Sequence, residues 1–498
     1  MRKVHIIVLS LFTALLYTIL FYKKGIGLNL FVFEMILIPV MLFLSKPLKF
    51  NFFTILLTAL TVVSAFSVMM VSTIWGVVIN YVLLFTLATA LNNKGSRSFF
   101  HLGLESFPRG IMAQVRVFQR WQEDGATPTG RITIRKILYM VILPIIVLIF
   151  FFTLYIKSSS TFYNTVEPFF QFISKLNFPL ILFYCLGIVV ANVLLVKTAP
   201  MRLYKQDISS TDILVRRRKP YYYPFKKDGL LMQNKAGIVL LGLLNLLILF
   251  FNYLDITTIW FNFTWDGSTL KEFVHEGTWI LVFSVVVSAA IALYFFHNNL
   301  NFYSKNKTLK ALTIAWILQN FVMTVSVIIR NYWYINYFGL AYKRIAVMFF
   351  LLLVAIGLLC IIFKILKVRS TYFLLRTNGL SLMLVLFVSS LFNWDVIIAK
   401  YNFEHYKQSF VEYRYMARLN NSALPYIVKS LEELEDIDTA QEEVMPFDTK
   451  KDYFWGRTSY HERVEQRKTA FLESYPERSF LEWNYAEYVA YKKLMEGD

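Results

Sequence analysis

Blocks of about 18–22 residues without a charge recur along this chain, the length at which a helix crosses roughly 30 Å of hydrocarbon. The stretch 236–297 sets the pattern. AGIVLLGLLNLLILFFNYL is followed by a polar, net acidic loop, DITTIWFNFTWDGSTLKEFVHEG, and then by TWILVFSVVVSAAIALYFF. A soluble core would scatter its apolar residues with helix or strand period instead of massing them. In lipid every backbone N–H and C=O needs a partner within the chain, so runs of this length form helices. The alternating segments of about ten residues that mark a membrane-spanning barrel are absent from the sequence.

Eleven runs are expected to span, at about 4–22, 26–44, 52–71, 74–91, 137–156, 178–196, 236–254, 278–296, 310–329, 345–363 and 372–391. The first begins like a secretory leader, with Arg2 and Lys3 before apolar residues. It runs for about 19 residues with no small-residue cleavage site after it, so it reads as a span. The fold class expected is all-α: a polytopic transmembrane bundle over residues 1–394, with a small helical extracytoplasmic tail over 395–498. The whole chain is 57% hydrophobic with mean hydropathy +0.51, in keeping with that class. Cys185 and Cys360 both lie inside apolar runs, where they read as small buried hydrophobes and provide neither a disulfide framework nor metal-ligand spacing.

Orientation follows from where Lys and Arg fall in the loops. With the N-terminus in the cytoplasm, 28 basic residues lie on the inner side and 8 in the outer loops. Eleven crossings then place the C-terminus outside. The tail has 14 basic and 20 acidic side chains, so the basicity of the chain belongs to its cytoplasmic loops. Two of these are long, 92–136 and 197–235. In the first, Ile111, Met112, Val115, Phe118 and Trp121 form an apolar helical face flanked by Arg109, Arg116 and Arg120. That face suits either the membrane interface or the underside of the protein itself. In the second, Arg216, Arg217, Arg218 and Lys219 precede three tyrosines, Tyr221 to Tyr223. Beside a bilayer such a cluster is expected to meet anionic lipid headgroups, and a nucleic-acid partner is not expected.

The tail keeps enough aromatic and aliphatic residues to fold. Ser409 with Glu412, and Ser479 with Glu482, have capping-box spacing, the second opening a terminal helix in which Leu481, Tyr485, Tyr488 and Val489 share a face. The acidic run 431–443 lacks the glycine and alternating ligands of a calcium loop and reads as a solvated helix face.

Ionisable residues inside spans are costly and therefore candidates for function. Glu34 lies mid-span, where it can carry a proton or pair across helices. Arg376 lies near a cytoplasmic boundary, where snorkelling accounts for it. Asn80, Asn192, Asn245, Gln319 and Asn320 sit at depth, as interhelical hydrogen-bonding groups do. At the outer boundary Asp255, His275, Glu276, Arg330, Arg344 and Asp395 gather at one depth. They can form a polar site, with His275 able to titrate near neutral pH, or a belt of salt bridges and helix caps. The expectation is that Asp255 or Glu276 pairs with Arg330 or Arg344, and that Asp395 directs the exit into the tail. No phosphate-binding loop, dinucleotide fingerprint, H-E-x-x-H or nucleophile elbow occurs, and no catalytic, cofactor-binding or metal residue is assigned.

Residues 245–255 (NLLILFFNYLD), His275-Glu276-Gly277, Gly339 to Arg344 (GLAYKR), Asp395 to Asn402 (DVIIAKYN) and Leu424-Pro425 occur in that order. The set resembles a family of bacterial multi-pass membrane proteins catalogued as domain of unknown function 4173, which is related to 4153. Thr278 stands where that family has an aromatic residue, and Ala341 where it has a threonine. The resemblance implies a bacterial cytoplasmic-membrane protein and draws attention to Asp255, Glu276, Arg344, Asp395 and Asn402. It implies no activity. The leading functional expectation is a non-enzymatic envelope scaffold or signal-transmitting component, its tail available to a protein partner. A proton-linked or small-solute transporter using Glu34 is the alternative. A membrane enzyme acting on a lipid-linked substrate through Asp255, His275 or Glu276 is a further one.

Overall fold

The structure is a computed structural model that describes residues 3–45, 52–123, 143–159, 161–167, 177–199, 201–216, 229–261, 269–296, 299–444 and 456–497. Its long helices are α1 (Lys3–Phe21), α2 (Leu28–Leu44), α3 (Phe52–Val71), α4 (Ile74–Asn92), α5 (Phe99–Glu123), α6 (Leu143–Ser158) and α7 (Phe178–Leu195). They continue through the short α8 (Arg202–Ser209) to α9 (Gly229–Asp255), α10 (Thr269–Phe296), α11 (Lys307–Phe338), α12 (Tyr342–Leu366) and α13 (Thr371–Ser389). The tail adds α14 (Trp394–Glu404), α15 (Leu431–Val444), α16 (Arg457–Ser474) and α17 (Tyr485–Glu496). Among the described residues the extended pairing is an isolated bridge between Ile213 and Arg369.

All eleven apolar runs lie on helices in their described parts. Among the described residues seven helices are long and apolar enough to cross a membrane, and Leu143–Ser158 joins them when counted with Thr161–Glu167 across a bend. Ile6–Phe21, Leu28–Leu44 and Ile280–Phe296 are apolar but shorter. These helices mark a membrane protein. Their ends are set by local chemistry. Thr73, Asn177, Ser370 and Asn393 each accept a hydrogen bond from a backbone N–H of the first turn they precede, which satisfies a donor the helix cannot.

The helices form two packed groups. In the first, α1 packs on α7, α2 on α3 and α3 on α4, around Leu30, Phe33, Leu57, Leu83, Leu84 and Leu87. In the second, α9, α10 and α12 all pack against α11, around Leu241, Phe296, Ile317, Val327 and Ile365. Helix α13 packs on both α12 and α5 and so joins the groups. Outside these cores, large apolar side chains such as Phe250, Leu246 and Phe283 stay exposed, as lipid-facing residues do.

The bundle has two unlike ends. At one end the chain leaving α4 and α7 meets α8 and the start of α13. Arg97 donates its backbone N–H to Asp207 at 2.8 Å, Tyr372 donates to the same carboxylate at 2.6 Å, and Ser370 N–H reaches Asp212 O at 2.9 Å. At the other end sit the α1–α2, α3–α4 and α11–α12 turns, all of them covered by the tail. Leu28 N–H bonds Trp483 O at 2.8 Å, Asn420 Nδ2 bonds Ser72 O at 3.2 Å, and Phe410 N–H bonds Tyr337 O at 2.8 Å.

The tail has its own core of Ile398, Val411, Met416, Leu424, Ile427, Leu434, Tyr460 and Val464. Its capping differs from expectation. Ser479 opens only a single 3₁₀ turn, Phe480–Glu482, and α17 starts at Asn484, whose side chain accepts from Glu487 N–H. The reason is tertiary. Glu482 and Trp483 are held against Gly27, where a Cβ would come within 2.5 Å of both their carbonyl oxygens. Leu481 consequently packs into the first core and does not share a face with Tyr485 and Tyr488, which are exposed. Ser409 bonds back to His405 O at 3.1 Å, and Glu412 precedes the next turn without a side-chain cap. The reciprocal box that does form is Ser430 with Glu433, at 3.1 and 2.8 Å, and it opens α15, the acidic run.

Helix α5 also departs from a simple amphipathic reading. Arg109 does not flank an interfacial face. It is fully buried and donates to Val193 O at 3.0 Å and Val196 O at 3.1 Å, capping the end of α7. Phe100, Leu104, Phe107 and Ile111, at helical spacing, form the exposed apolar stripe instead.

Candidate functional site

The polar residues singled out at the outer boundary come from α9, α10, α11, α12 and α14, and the fold draws Asp255, Arg330, Arg344, Asp395 and Asn402 to the tail-covered end. Asp255, the last residue of α9, pairs with Arg330 of α11, and their side chains are only 4% and 6% exposed. A buried ion pair of this kind offsets the desolvation of each charge by the attraction of the other.

Arg344, on the first turn of α12, pairs with no carboxylate among the described residues. Its guanidinium donates to Phe338 O at 2.7 Å and to Gly339 O, and lies 4.4 Å from the centre of the Tyr334 ring. It thereby satisfies carbonyls at the end of α11 that the helix leaves open. Gly339 has φ +76°, a left-handed conformation that disfavours a side chain. The space a Cβ would need is filled by Asn402 of α14. Asn402 accepts from Leu340 N–H at 2.6 Å and donates to Leu340 O at 2.9 Å, so one amide satisfies both backbone groups of a turn residue. Asp395 accepts from the Tyr342 hydroxyl at 2.7 Å and from Asn420 N–H at 3.1 Å, which ties the start of α12 to the tail. His275 and Glu276 lie on the first turns of α10, and their side chains fall outside the described residues.

Below Asp255 a seam of amides continues between α9 and α11. Asn252 donates to Gln319 O at 3.0 Å, Gln319 donates to Asn245 Oδ1 at 2.7 Å, and Asn245 donates to Leu312 O at 3.0 Å. Asn234 reaches Lys305 O at 3.3 Å at the opposite end. At about 100° per residue, positions 234, 245, 252 and 255 share one face of α9. Asn234 and Asn252 were not singled out by the sequence. Their spacing from Asn245 and Asp255 is the signal that could have found them.

The remaining candidates are scattered. Arg376 pairs with Asp212 at 2.6 Å at the basic end. Arg216 is exposed there, and Arg217, Arg218 and Lys219 lie outside the described residues. Glu34 is fully buried in α2, its carboxyl facing the Asn80 side chain of α4. Lys364, equally buried, donates to Phe296 O at 2.6 Å and caps α10. No group of three or more metal-ligating side chains occurs among the described residues.

Among the described residues these contacts join helix termini to one another at the tail-covered end. No curated protein and no solved structure matches the chain. The family model described as "Domain of unknown function (DUF4153)" matches residues 35–430, the relative of the family suggested by the ordered motifs, and the chain belongs to that family.

Proposed function

We propose that this protein is a non-enzymatic scaffold or signal-transmitting component of a bacterial cytoplasmic membrane. In this reading it crosses eleven times, with the N-terminus inside and the tail of residues 395–498 outside. The basic loops, with Arg216 to Lys219, meet anionic headgroups on the inner side, and the tail offers a folded surface to a protein partner. The observation that carries the reading is the consumption of the outer-face polar residues. Asp255 and Arg330 join α9 to α11, Arg344 closes the α11–α12 turn, and Asp395 and Asn402 tie that turn to the tail, so a force on the tail reaches α11 and α12 and passes to α9 through the ion pair.

A second reading, proton-linked transport, rests on Glu34. A fully buried carboxyl in a membrane interior is expensive and is retained where it binds a proton or an ion. Reconstitution into liposomes separates the two. The scaffold reading expects a proton leak equal to that of empty vesicles for both the native chain and Glu34→Gln. A flux present in the native protein and lost in Glu34→Gln establishes transport in its place.

A further inference from the structure

Between the tail-side end of α3 and the tail lies a cleft of about 290 Å³, lined by Met70 and Val71, by Val396 and Ile397 of α14, and by Val489 and Lys493 of α17. Its walls are mostly apolar. Its polar end is formed around Tyr426. The Lys493 ammonium donates to the Tyr426 hydroxyl at 3.3 Å and lies 5.1 Å from the ring centre, and the Lys400 ammonium lies 4.7 Å from the same centre. Neither lysine has a carboxylate partner among the described residues. Two like charges around one ring repel each other, and the ring quadrupole offsets only part of that cost. An anion at the polar end of the cleft is attracted by both charges and is met by the Lys493 ammonium and the Tyr426 hydroxyl, which line it.

The apolar side of the cleft identifies the kind of anion. Ile55, Ala59, Val63 and Phe66 follow helical spacing along α3 as an exposed stripe, and the stripe leads up to Met70 on the cleft wall. A chain lying along this stripe runs from the lipid-facing surface of the bundle into the cleft and ends at the lysines. A free inorganic anion makes no use of that path. We infer that the cleft between α3, α14 and α17 binds an anionic phospholipid, its acyl chain along α3 and its phosphate held by Lys493 and Tyr426, with Lys400 adding positive charge beside the same ring. This requires only that the bundle sits in a bilayer and stands whether the protein is a scaffold or a transporter.

The test is native mass spectrometry of the full chain in detergent, titrated with phosphatidylglycerol or phosphatidylcholine. Phosphatidylglycerol is expected to be retained preferentially. Its affinity should fall about fivefold for Lys493→Gln, the size of about one basic contact to an anionic headgroup, and further when Lys400→Gln is added. Val489→Trp, which fills the cleft and keeps both lysines, should abolish lipid retention. A thermal midpoint kept within a few degrees of native certifies the fold of each variant. The glutamines retain much of the lysine stem, so a variant failing through lost packing is replaced by Lys→Met with the same expectation. Equal retention of the two lipids, or unchanged retention in the double variant, overturns the proposal. So does displacement of the lipid by millimolar inorganic phosphate, which makes the site one for a free anion.

Discussion

Asp255 and Arg330 show what a charge does at the edge of a membrane bundle. Each is too costly to bury alone, and together they hold the end of α9 to α11. Asp255→Asn leaves the Arg330 charge buried with a neutral neighbour and is expected to destabilise the protein by about 3–5 kcal/mol. Unfolding in detergent followed by circular dichroism measures this, and a native-like transition would show that the pair does not fasten the helices. Gly339 and Asn402 act as one unit. Gly339→Ala forces a side chain into left-handed backbone, at about 1–2 kcal/mol, and pushes on Asn402 as well. Asn402→Ala removes two hydrogen bonds to Leu340. Because the two residues meet at the same turn, the double variant should lose less than the sum of the singles. The charges of this boundary were legible in the sequence, since each interrupts or ends an apolar run. The use of Arg344 was not. An arginine opening a helix looks the same whether it meets a carboxylate or, as here, the open carbonyls of the preceding helix.

At the scale of elements, apolar length was enough to place the helices, and local caps such as Thr73 and Ser370 fixed several starts. The ends that the sequence misplaced are those held by another element. The terminal helix begins at Asn484 and not at Ser479, because Glu482 and Trp483 are engaged by the α1–α2 turn. Arg109 leaves the amphipathic flank of α5, because the carbonyls closing α7 are within its reach. In the tail, Tyr413 stacks on Tyr460 with ring centres 4.8 Å apart, Tyr460 bonds Ile427 O at 2.6 Å, and Tyr413 bonds Asp438 at 2.9 Å. Burial raises both phenols above their ordinary value, and for Tyr413 the nearby Asp438 adds to the shift. The unfolded tail starts to lose these protons near pH 10 while the folded tail keeps them. Their contribution is therefore complete below about pH 10 and is lost as pH rises toward the folded values. Tyrosinate absorbance of an otherwise tyrosine-depleted tail should appear together with loss of tail structure, and a gradual rise near pH 10 with the tail intact would contradict this.

For the whole molecule, an end where Arg97, Arg376 and Tyr372 gather on Asp207 and Asp212 stands apart from an end covered by the tail. Cysteine substituted for Lys492 on the tail should react with a membrane-impermeant maleimide in intact cells, and cysteine for Lys205 only after the cells are opened. The reverse pattern would invert the proposed orientation without changing the fold. The sequence by itself determined the class: long uncharged runs have no stable alternative to helices in lipid, and the uneven distribution of Lys and Arg between alternate loops needs no contact map to be read. Tertiary structure alone decided which helices touch, which polar groups satisfy one another, and that the tail closes over three separate interhelical turns. Those outcomes depend on residues hundreds of positions apart, such as Asn420 and Ser72 or Trp483 and Leu28, whose hydrogen-bonding capacity is visible in the sequence while the partner that satisfies it is set by the packing of the chain.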